Sequence, residues 1–341
     1  MAKLYILGAG GMGTAMAVAM SNVGHDVWLW GWNKDENDRI RQAHEHVQLL
    51  KGVKIPDTVR IVDTVDGVET ADAVIIATPT VGVRGAAKLL AGKVTADTPV
   101  ACTSKGLEPK TLLPLHEVVT QELPENDFVA LSGPSHAEEI SCGIPTVLVA
   151  ASKSLSAAQK IQDLTVQTHI RIYTSDDVVG VELGGALKNV IAFAAGVVDG
   201  MGGGDNTKAA LMTRGLTEIA RMGVKMGARR ETFAGLSGVG DLIVTCCSMH
   251  SRNRRCGIYV GEGCTVDEAV DKVGMTVEGI TAAICAYELS QKLDVDMPIT
   301  NQIYSLIKGQ TTAKQAVEAL LTRPPRHEVD HNWLEEGTSI L

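Results

Sequence analysis

The chain has 341 residues, of which 45% are hydrophobic, 21% are charged and only 4% are aromatic, and its formal net charge is -9. This composition excludes a disordered chain, and the acidic balance provides no global field that would attract nucleic acid, anionic lipid or a phosphorylated substrate. We therefore expect no nucleic-acid partner, and any bound anion must be held by local cations. The length favours two domains.

The first residues and the cysteines indicate the cellular compartment of the protein. The chain passes from Met1 directly to the strand-like "KLYILG", without the pattern of a cleaved signal, and its seven cysteines lack C-x-x-C spacing. No unbroken apolar run reaches the length of a membrane span, and the nine histidines show no metal-ligand spacing. We expect a cytoplasmic protein with no membrane span and no metal.

Short apolar runs alternate with helical segments from Lys3 to about Ala150. The strand candidates are "KLYILG", "DVWLWG", "DAVIIATP", "PVACTS", "FVALSG" and "TVLVAA", and "IRIYTS" follows near Ile170. These runs are apolar on both faces, which predicts parallel strands covered by helices. The expected fold class is α/β, with an N-terminal Rossmann-like doubly wound sheet.

The pattern changes after Asp176 and Asp177, which can cap a helix start, to Ala, Gly, Met and Leu at helical spacing. We expect an all-α C-terminal domain, and on account of it a homodimer. The predicted domains are a dinucleotide-binding domain at 1-178, a helical substrate and catalytic domain at 179-325, and a loosely attached tail at 326-341.

A glycine loop follows the first predicted strand and opens the first predicted helix. Gly8, Gly10 and Gly13 form G-x-G-x-x-G, which in this context predicts a dinucleotide whose pyrophosphate lies on the helix N-terminus. The second strand ends at Gly31 and Trp32, where neither the acid typical of NAD binding nor the arginine typical of NADP binding is found. The expected cofactor is NAD or NADP, and the choice stays open.

The stretch "ELGGALKNVIAFAAGVVDG", from Glu182 to Gly200, predicts an apolar helix that contains one lysine, Lys188. The residues that share its helical face offer no carboxylate. Three alternatives remain for the ammonium: it reaches water, it pairs with a remote acid, or it is partly desolvated in a cleft, where its pKa falls and it acts as a base.

Three other segments place polar residues at strand or helix ends: "SKGLE", "SGPSHAEE", and "SGVGDLIVTC" with the following "SRNRRCG". Their simple interpretations are a surface lysine, a capping box and a solvated basic run. An arginine fork beside serine and asparagine also suits a phosphate. The residues concerned are Lys105, Ser135, Glu138, Asp241, Ser251, Arg252, Asn253 and Arg254.

Together these segments resemble the bacterial NAD(P)-dependent glycerol-3-phosphate dehydrogenase family. The motifs "GAGGMGTAMA", "TSKGLE", "SGPSHAEEI", "ELGGALKN", "GLSGVGDLIVTC" and "SRNRR" follow the order of that family over nearly the whole chain. The resemblance implies reversible hydride transfer between sn-glycerol 3-phosphate and dihydroxyacetone phosphate, which supplies glycerol 3-phosphate for phospholipid synthesis. It also implies that Lys188 is the proton acceptor and that Lys105 and Asp241 assist.

The resemblance implies one set of substrate-binding residues and one set of cofactor-binding residues. The implied substrate-binding residues are Lys105, Gly133, Ser135, Lys188, Asp241, Ser251, Arg252 and Asn253. The implied cofactor-binding residues are Gly8, Gly10, Gly11, Met12, Gly13, Trp32, Lys105, Ala137, Arg252 and Glu278.

Two rival functions remain. One is another β-hydroxyacid-type dehydrogenase with the same two-domain plan, and the Ser, Arg and Asn set argues against its unphosphorylated substrate. The other is a dinucleotide-sensing module without chemistry, and the presence of Lys188, Lys105 and Asp241 argues against it.

Overall fold

A computed structural model describes residues 1–325, 327 and 328. Its strands are β1 (Lys3–Leu7), β2 (Asp26–Trp30), β3 (Val59–Val62), β4 (Ala73–Ile76), β5 (Val100–Cys102), β6 (Phe128–Ser132), β7 (Thr146–Ala151) and β8 (Ile170–Ser175). The helices among and after these strands are α1 (Gly11–Ser21), α2 (Lys34–Ala43), α3 (Val83–Leu90), α4 (Leu115–Glu122), α5 (Ala137–Ser141), α6 (Leu155–Asp163) and α7 (Val178–Gly200). The remaining α-helices of the described part are α8 (Asp205–Lys225), α9 (Asp241–Cys247), α10 (Arg252–Gly261), α11 (Val266–Val273), α12 (Glu278–Leu293), α13 (Pro298–Ile307) and α14 (Ala313–Leu321).

The strands form one sheet in the order β3-β2-β1-β4-β5-β6-β7-β8, and apolar clusters lie on its two faces. The expected α/β class, with a doubly wound sheet followed by helices, is confirmed. Strand order reverses between β1 and β4, so the crevice outside their carboxyl ends is the place where such sheets bind ligands. The predicted glycine loop lies at this crevice.

Two details of the sheet differ from the sequence expectation. β7 pairs antiparallel with β6, so the expectation of parallel strands is wrong at this pair, whereas β8 is parallel to β7. The connection from β6 to β7 carries only the short α5, and it turns the chain back instead of crossing a sheet face. β3 was not predicted, because this edge strand is only partly buried and lacks a fully apolar run.

Helix α7 is the centre of the helical part. The side chain of Asp177 caps it by accepting a 3.0 Å hydrogen bond from the amide of Gly180, as predicted. α7 packs against α8, α9, α10 and α12. Among the described residues it is the helix long and apolar enough to cross a membrane, but 89% of its most apolar window is buried inside the protein.

Glycines allow α10 to lie directly on α7. A Cβ at Gly257 would overlap the carbonyl oxygen of Phe193, and one at Gly196 would overlap that of Arg254. The two helices run in the same direction, so the first turn of α10 lies beside Asn189 in the middle of α7. This contact fixes the distance between the "SRNRR" turn and the lysine of α7.

All seven cysteines are free thiols, which agrees with the expectation from their spacing. The predicted tail at 326-341 lies outside the described residues, apart from residues 327 and 328.

The glycine contact yields a stability prediction. Gly257→Ala should lower the free energy of unfolding by about 1–3 kcal/mol, because the new methyl group has to push α10 away from α7. Gly85→Ala is the matched control, since Gly85 lies exposed in α3 with open space around it, and it should stabilise by about 0.5–1 kcal/mol. Urea unfolding followed by circular dichroism measures both, and equal stabilities would contradict the packing argument.

Candidate active site

A cavity of about 410 Å³ lies between the carboxyl edge of the sheet and the helical part. It is lined by residues from both, including eleven of the predicted site residues. These are Gly10, Gly11, Met12, Lys105, Ser135, Ala137, Lys188, Ser251, Arg252, Asn253 and Glu278.

Lys188 projects from α7 to this cleft and is only 6% exposed. Its amine donates hydrogen bonds to Oδ1 of Asp241 and, over 2.7 Å, to the hydroxyl of Thr245. Asp241 is fully buried at the start of α9. Of the three alternatives, the structure combines the last two: the amine pairs with a remote acid and is desolvated beside a cleft.

Lys105 reaches the same carboxylate from the other side. It follows β5, and its amine lies 2.7 Å from Oδ2 of Asp241, 2.8 Å from the carbonyl oxygen of Gly133 and 3.0 Å from the hydroxyl of Ser135. One carboxylate therefore joins two lysine amines, one from the sheet edge and one from α7. The simple alternative of a solvated surface lysine is wrong for Lys105.

The surroundings lower the pKa of Lys188 to about 8. Burial is the largest cause, because it disfavours the charged form, and the positive charge of Lys105 acts in the same direction. The charge of Asp241 opposes both effects by favouring the ammonium. The amine can therefore exchange a proton near neutral pH.

The capping box predicted at Ser135 and Glu138 is not formed. α5 begins at Ala137 with no side-chain cap, and the hydroxyl of Ser135 donates instead to the carbonyl oxygen of Gly133 over 2.8 Å. The same hydroxyl oxygen also accepts a hydrogen bond from the amine of Lys105. The hydroxyl contacts Lys105 and Gly133 and not the start of α5, and Ser135 lines the cleft.

The "SRNRR" segment forms the first turn of α10. Ser251 caps it by accepting a 3.2 Å hydrogen bond from the amide of Arg254. The exposed guanidinium of Arg252 makes no hydrogen bond or ion pair with any residue that the structure describes. A helix N-terminus with an uncommitted arginine suits a phosphate.

Two other members of the segment have structural partners. Asn253 donates to the side chain of Asn189 over 2.9 Å and accepts from the amide of Gly279 over 2.8 Å. Arg254 lies 2.7 Å from Asp199 at the end of α7 and donates to the carbonyl oxygen of Cys247. These contacts fix the turn against α7. Arg254 therefore stabilises the site without being among the described residues that line the cleft.

The glycine loop fits a dinucleotide. Gly8 has φ +123°, and its missing Cβ leaves room for the chain at Ala77, while a Cβ at Gly13 would overlap the carbonyl oxygen of Gly8. These two glycines hold α1 close to β1. The position of a Cβ at Gly10 faces open space in the cleft, so a side chain here would fill room that a pyrophosphate needs.

The other predicted cofactor residues divide into two groups. Gly11, Met12, Ala137 and Glu278 line the cleft, and Glu278 accepts hydrogen bonds of 3.2 Å from the amide and the hydroxyl of Thr80. Trp32 does not line it: its side chain is 80% exposed just beyond β2. Its contact with a cofactor stays a prediction.

Sequence reasoning missed several residues of the cleft, among them Thr245, Asn189 and His136. Thr245 lies four residues after Asp241 on α9, a spacing that places both on one helical face. Asn189 follows Lys188 and donates to the backbone of Lys105 over 3.3 Å. His136 follows Ser135 and lines the cavity. No group of three or more potential metal ligands occurs in the described part of the chain.

Comparison with known proteins gives one family. Residues 3–158 match the model of the NAD-dependent glycerol-3-phosphate dehydrogenase N-terminus, and residues 177–318 match the model of its C-terminus. The chain is 49% identical over 331 residues to a glycerol-3-phosphate dehydrogenase (NAD(P)+) of Clostridium perfringens, with 96% of this chain and 99% of that protein covered. It is 45% identical over 334 residues to the enzyme of the same name from Bacillus anthracis, with 97% and 98% covered.

A solved structure agrees with these relatives. The glycerol-3-phosphate dehydrogenase of Coxiella burnetii superposes with a TM-score of 0.91 at 34% identity, over 94% of this chain and 99% of that one. A D-mandelate dehydrogenase at 13% identity, with a TM-score of 0.63, shares the fold alone. Full-length identity and structure lead to the same conclusion: the chain belongs to the NAD(P)-dependent glycerol-3-phosphate dehydrogenase family.

Proposed function

We propose that the protein is a glycerol-3-phosphate dehydrogenase, which uses NAD or NADP for reversible hydride transfer between sn-glycerol 3-phosphate and dihydroxyacetone phosphate. The observation that carries this proposal is the buried pair of Lys188 and Asp241, set in one cleft between a dinucleotide-type glycine loop and the turn of Arg252. The names of the full-length relatives support it. When bound, the nicotinamide accepts or supplies the hydride.

Lys188 moves the proton. In oxidation its neutral amine accepts the proton of the C2 hydroxyl, and in reduction its ammonium returns a proton to the C2 oxygen. A pKa near 8 leaves both forms accessible at neutral pH. The hydroxyl of Thr245 and the carboxylate of Asp241 fix the direction of the amine.

The substrate phosphate binds at the first turn of α10. Arg252 supplies the charged donor fork, and Ser251 and the backbone of the turn complete the oxyanion site. Lys105 holds Asp241 in place and adds positive charge near the reacting carbon. Gly133 and Ser135 shape the wall behind Lys105.

The remaining predictions belong to this proposal. The parts at 1-178 and 179-325 bind the cofactor and the substrate, respectively. The product, glycerol 3-phosphate, supplies phospholipid synthesis in the cytoplasm. The enzyme forms a homodimer, which light scattering of the purified protein tests directly.

The first test is the reaction itself. Dihydroxyacetone phosphate should cause loss of the absorbance of the reduced nicotinamide, and parallel assays with NADH and NADPH determine the preference. Absence of turnover with both cofactors would contradict the proposed function.

Lys188→Met keeps the length of the side chain and removes the amine. We expect kcat to fall about 100- to 10,000-fold, because the positioned acid-base is lost, while NADH binding measured by fluorescence persists. Lys88→Met, at an exposed position of α3, is the control and should leave kcat unchanged. A near-normal kcat in the Lys188 variant would exclude the amine as the base.

Arg252→Ala should raise KM for dihydroxyacetone phosphate about 10- to 100-fold, because a charge-assisted contact to phosphate is lost, with a smaller effect on kcat. Arg171→Ala is the control: Arg171 is exposed on β8 and is not among the described residues that line the cleft. Steady-state kinetics separate the two variants. An equal KM in both would place the phosphate elsewhere.

The pH profile of oxidation tests the balance of charges at Lys188. kcat/KM should rise with pH through about 8, since the neutral amine is the base. Asp241→Asn removes the charge that raises this pKa, so the rise should move to lower pH. Thr245→Val removes only a neutral hydrogen-bond partner of Lys188, so it should shift the rise of kcat/KM by less. A profile that stays in place or moves upward in the Asp241 variant would refute this assignment.

A further inference from the structure

Thr80 connects the sheet with the start of α12. It lies shortly after β4, is 7% exposed, and is not among the described residues that line the cleft. Its amide and its hydroxyl both donate hydrogen bonds of 3.2 Å to Oε1 of Glu278, the first residue of α12. Glu278 does line the cleft. Thr80 therefore acts on a bound substrate through its neighbours and not by direct contact.

On the sheet side, Thr80 fixes the backbone that follows Lys105. A Cβ atom at Gly106 would lie 2.4 Å from the hydroxyl oxygen of Thr80 and 2.8 Å from its methyl group, so the two residues are in close contact. Asn189 of α7 donates to the carbonyl oxygen of Lys105 over 3.3 Å. Thr80 and Asn189 thus both hold the short segment that carries this lysine.

On the helical side, the residue after Glu278 holds the first turn of α10. The amide of Gly279 donates to the side chain of Asn253 over 2.8 Å, and Asn253 donates to the side chain of Asn189 over 2.9 Å. A Cβ atom at Gly279 would lie 2.8 Å from the carbonyl oxygen of Asn189 and 3.0 Å from the side-chain oxygen of Asn253. The start of α12 therefore packs against both α7 and the turn of Arg252.

These contacts form a closed path through the sheet and the helices. The path runs in order through Lys105, Gly106, Thr80, Glu278, Gly279, Asn253 and Asn189, and it returns to Lys105. It joins the lysine that shares Asp241 with Lys188 to the first turn of α10. A substrate that is bound at its phosphate and reacts at C2 needs these two places at a fixed separation, because a misplacement of about 1 Å can cost about 100-fold in rate.

We propose, on the basis of the function proposed above, that Thr80 is a positioning residue for this reaction. Through Glu278 it holds the first turn of α10 at the distance from Lys105 and Lys188 that a three-carbon phosphate requires. Its role depends on the phosphate, because only a substrate anchored at the turn is sensitive to the position of the turn. Loss of the Thr80 contact therefore reduces the benefit that Arg252 gives to the reaction.

A double-mutant cycle between Thr80 and Arg252 tests this proposal. Thr80→Val keeps the size of the side chain and removes the hydroxyl donor, and it should lower kcat/KM for dihydroxyacetone phosphate about 3- to 30-fold, the range expected for a lost hydrogen bond to a carboxylate. In the Arg252→Ala background the same substitution should change kcat/KM less than about 2-fold, so that the two effects are not additive. Thr80→Ser keeps both donors and should stay close to the unmodified enzyme.

Thr98→Val is the matched control. Thr98 is also buried, and its hydroxyl donates to the carbonyl oxygen of Ala71 over 3.1 Å, but it is not among the described residues that line the cleft. This variant should lower the free energy of unfolding and leave kcat/KM unchanged, which separates a positioning role from a loss of stability. If Thr80→Val does not fold, Gly106→Ala displaces Thr80 without removing its donors and should show the same dependence on Arg252.

Equal slowing by Thr80→Val in the presence and in the absence of Arg252 would overturn the proposal, because Thr80 would then act independently of the phosphate. So would a Thr80→Val variant with the kcat/KM of the unmodified enzyme. A loss of NADH binding as large as the loss of kcat/KM, measured by fluorescence titration, would assign the contact to the cofactor and overturn it as well. Failure of the proposed function has another sign, which is that the unmodified enzyme does not oxidise NADH or NADPH with dihydroxyacetone phosphate.

Discussion

The site depends on one buried carboxylate. Asp241 has no exposed surface and receives two amines, from Lys188 and from Lys105. Two ammonium groups and one carboxylate leave one net positive charge when both lysines are protonated. In a chain with a formal net charge of -9, this local charge and Arg252 are what the cleft offers to a phosphorylated substrate. Without the carboxylate, the two ammonium groups would repel each other in a desolvated place.

The fold brings these groups together from separate elements. Lys105 follows β5 at the carboxyl edge of the sheet, Lys188 lies in the middle of α7, and Asp241 begins α9. The backbone contact of α10 with α7 then sets the distance from the amine to the first turn of α10, since glycines leave no side chains between the two helices. A shift of either helix would separate proton transfer from phosphate binding, so the packing of small residues on α7 is part of the catalytic geometry.

The sequence predicts the parts of this arrangement that depend on near neighbours. The glycine loop was predicted because a strand, three glycines and a helix are adjacent, and Asp177 caps α7 as expected. The partner of Lys188 was not predictable from its own helix, because Asp241 lies 53 residues away and only tertiary structure brings it close. Ser135 has a good local capping pattern, but in the structure its hydroxyl contacts Lys105, which follows a distant strand, and does not cap α5. The predicted direction of β7 was wrong, because an apolar run does not indicate whether a strand runs parallel or antiparallel to its neighbour.

The pKa of Lys188 shows why both lysines are needed. A reversible dehydrogenase needs a base that is neutral in one direction and charged in the other, so the pKa has to lie near the working pH. Burial lowers this pKa, and the charge of Asp241 raises it. Lys105 shares the carboxylate and adds its own charge, which weakens the hold of Asp241 on the Lys188 proton. Burial and the positive charge of Lys188 also lower the pKa of the neighbouring His136.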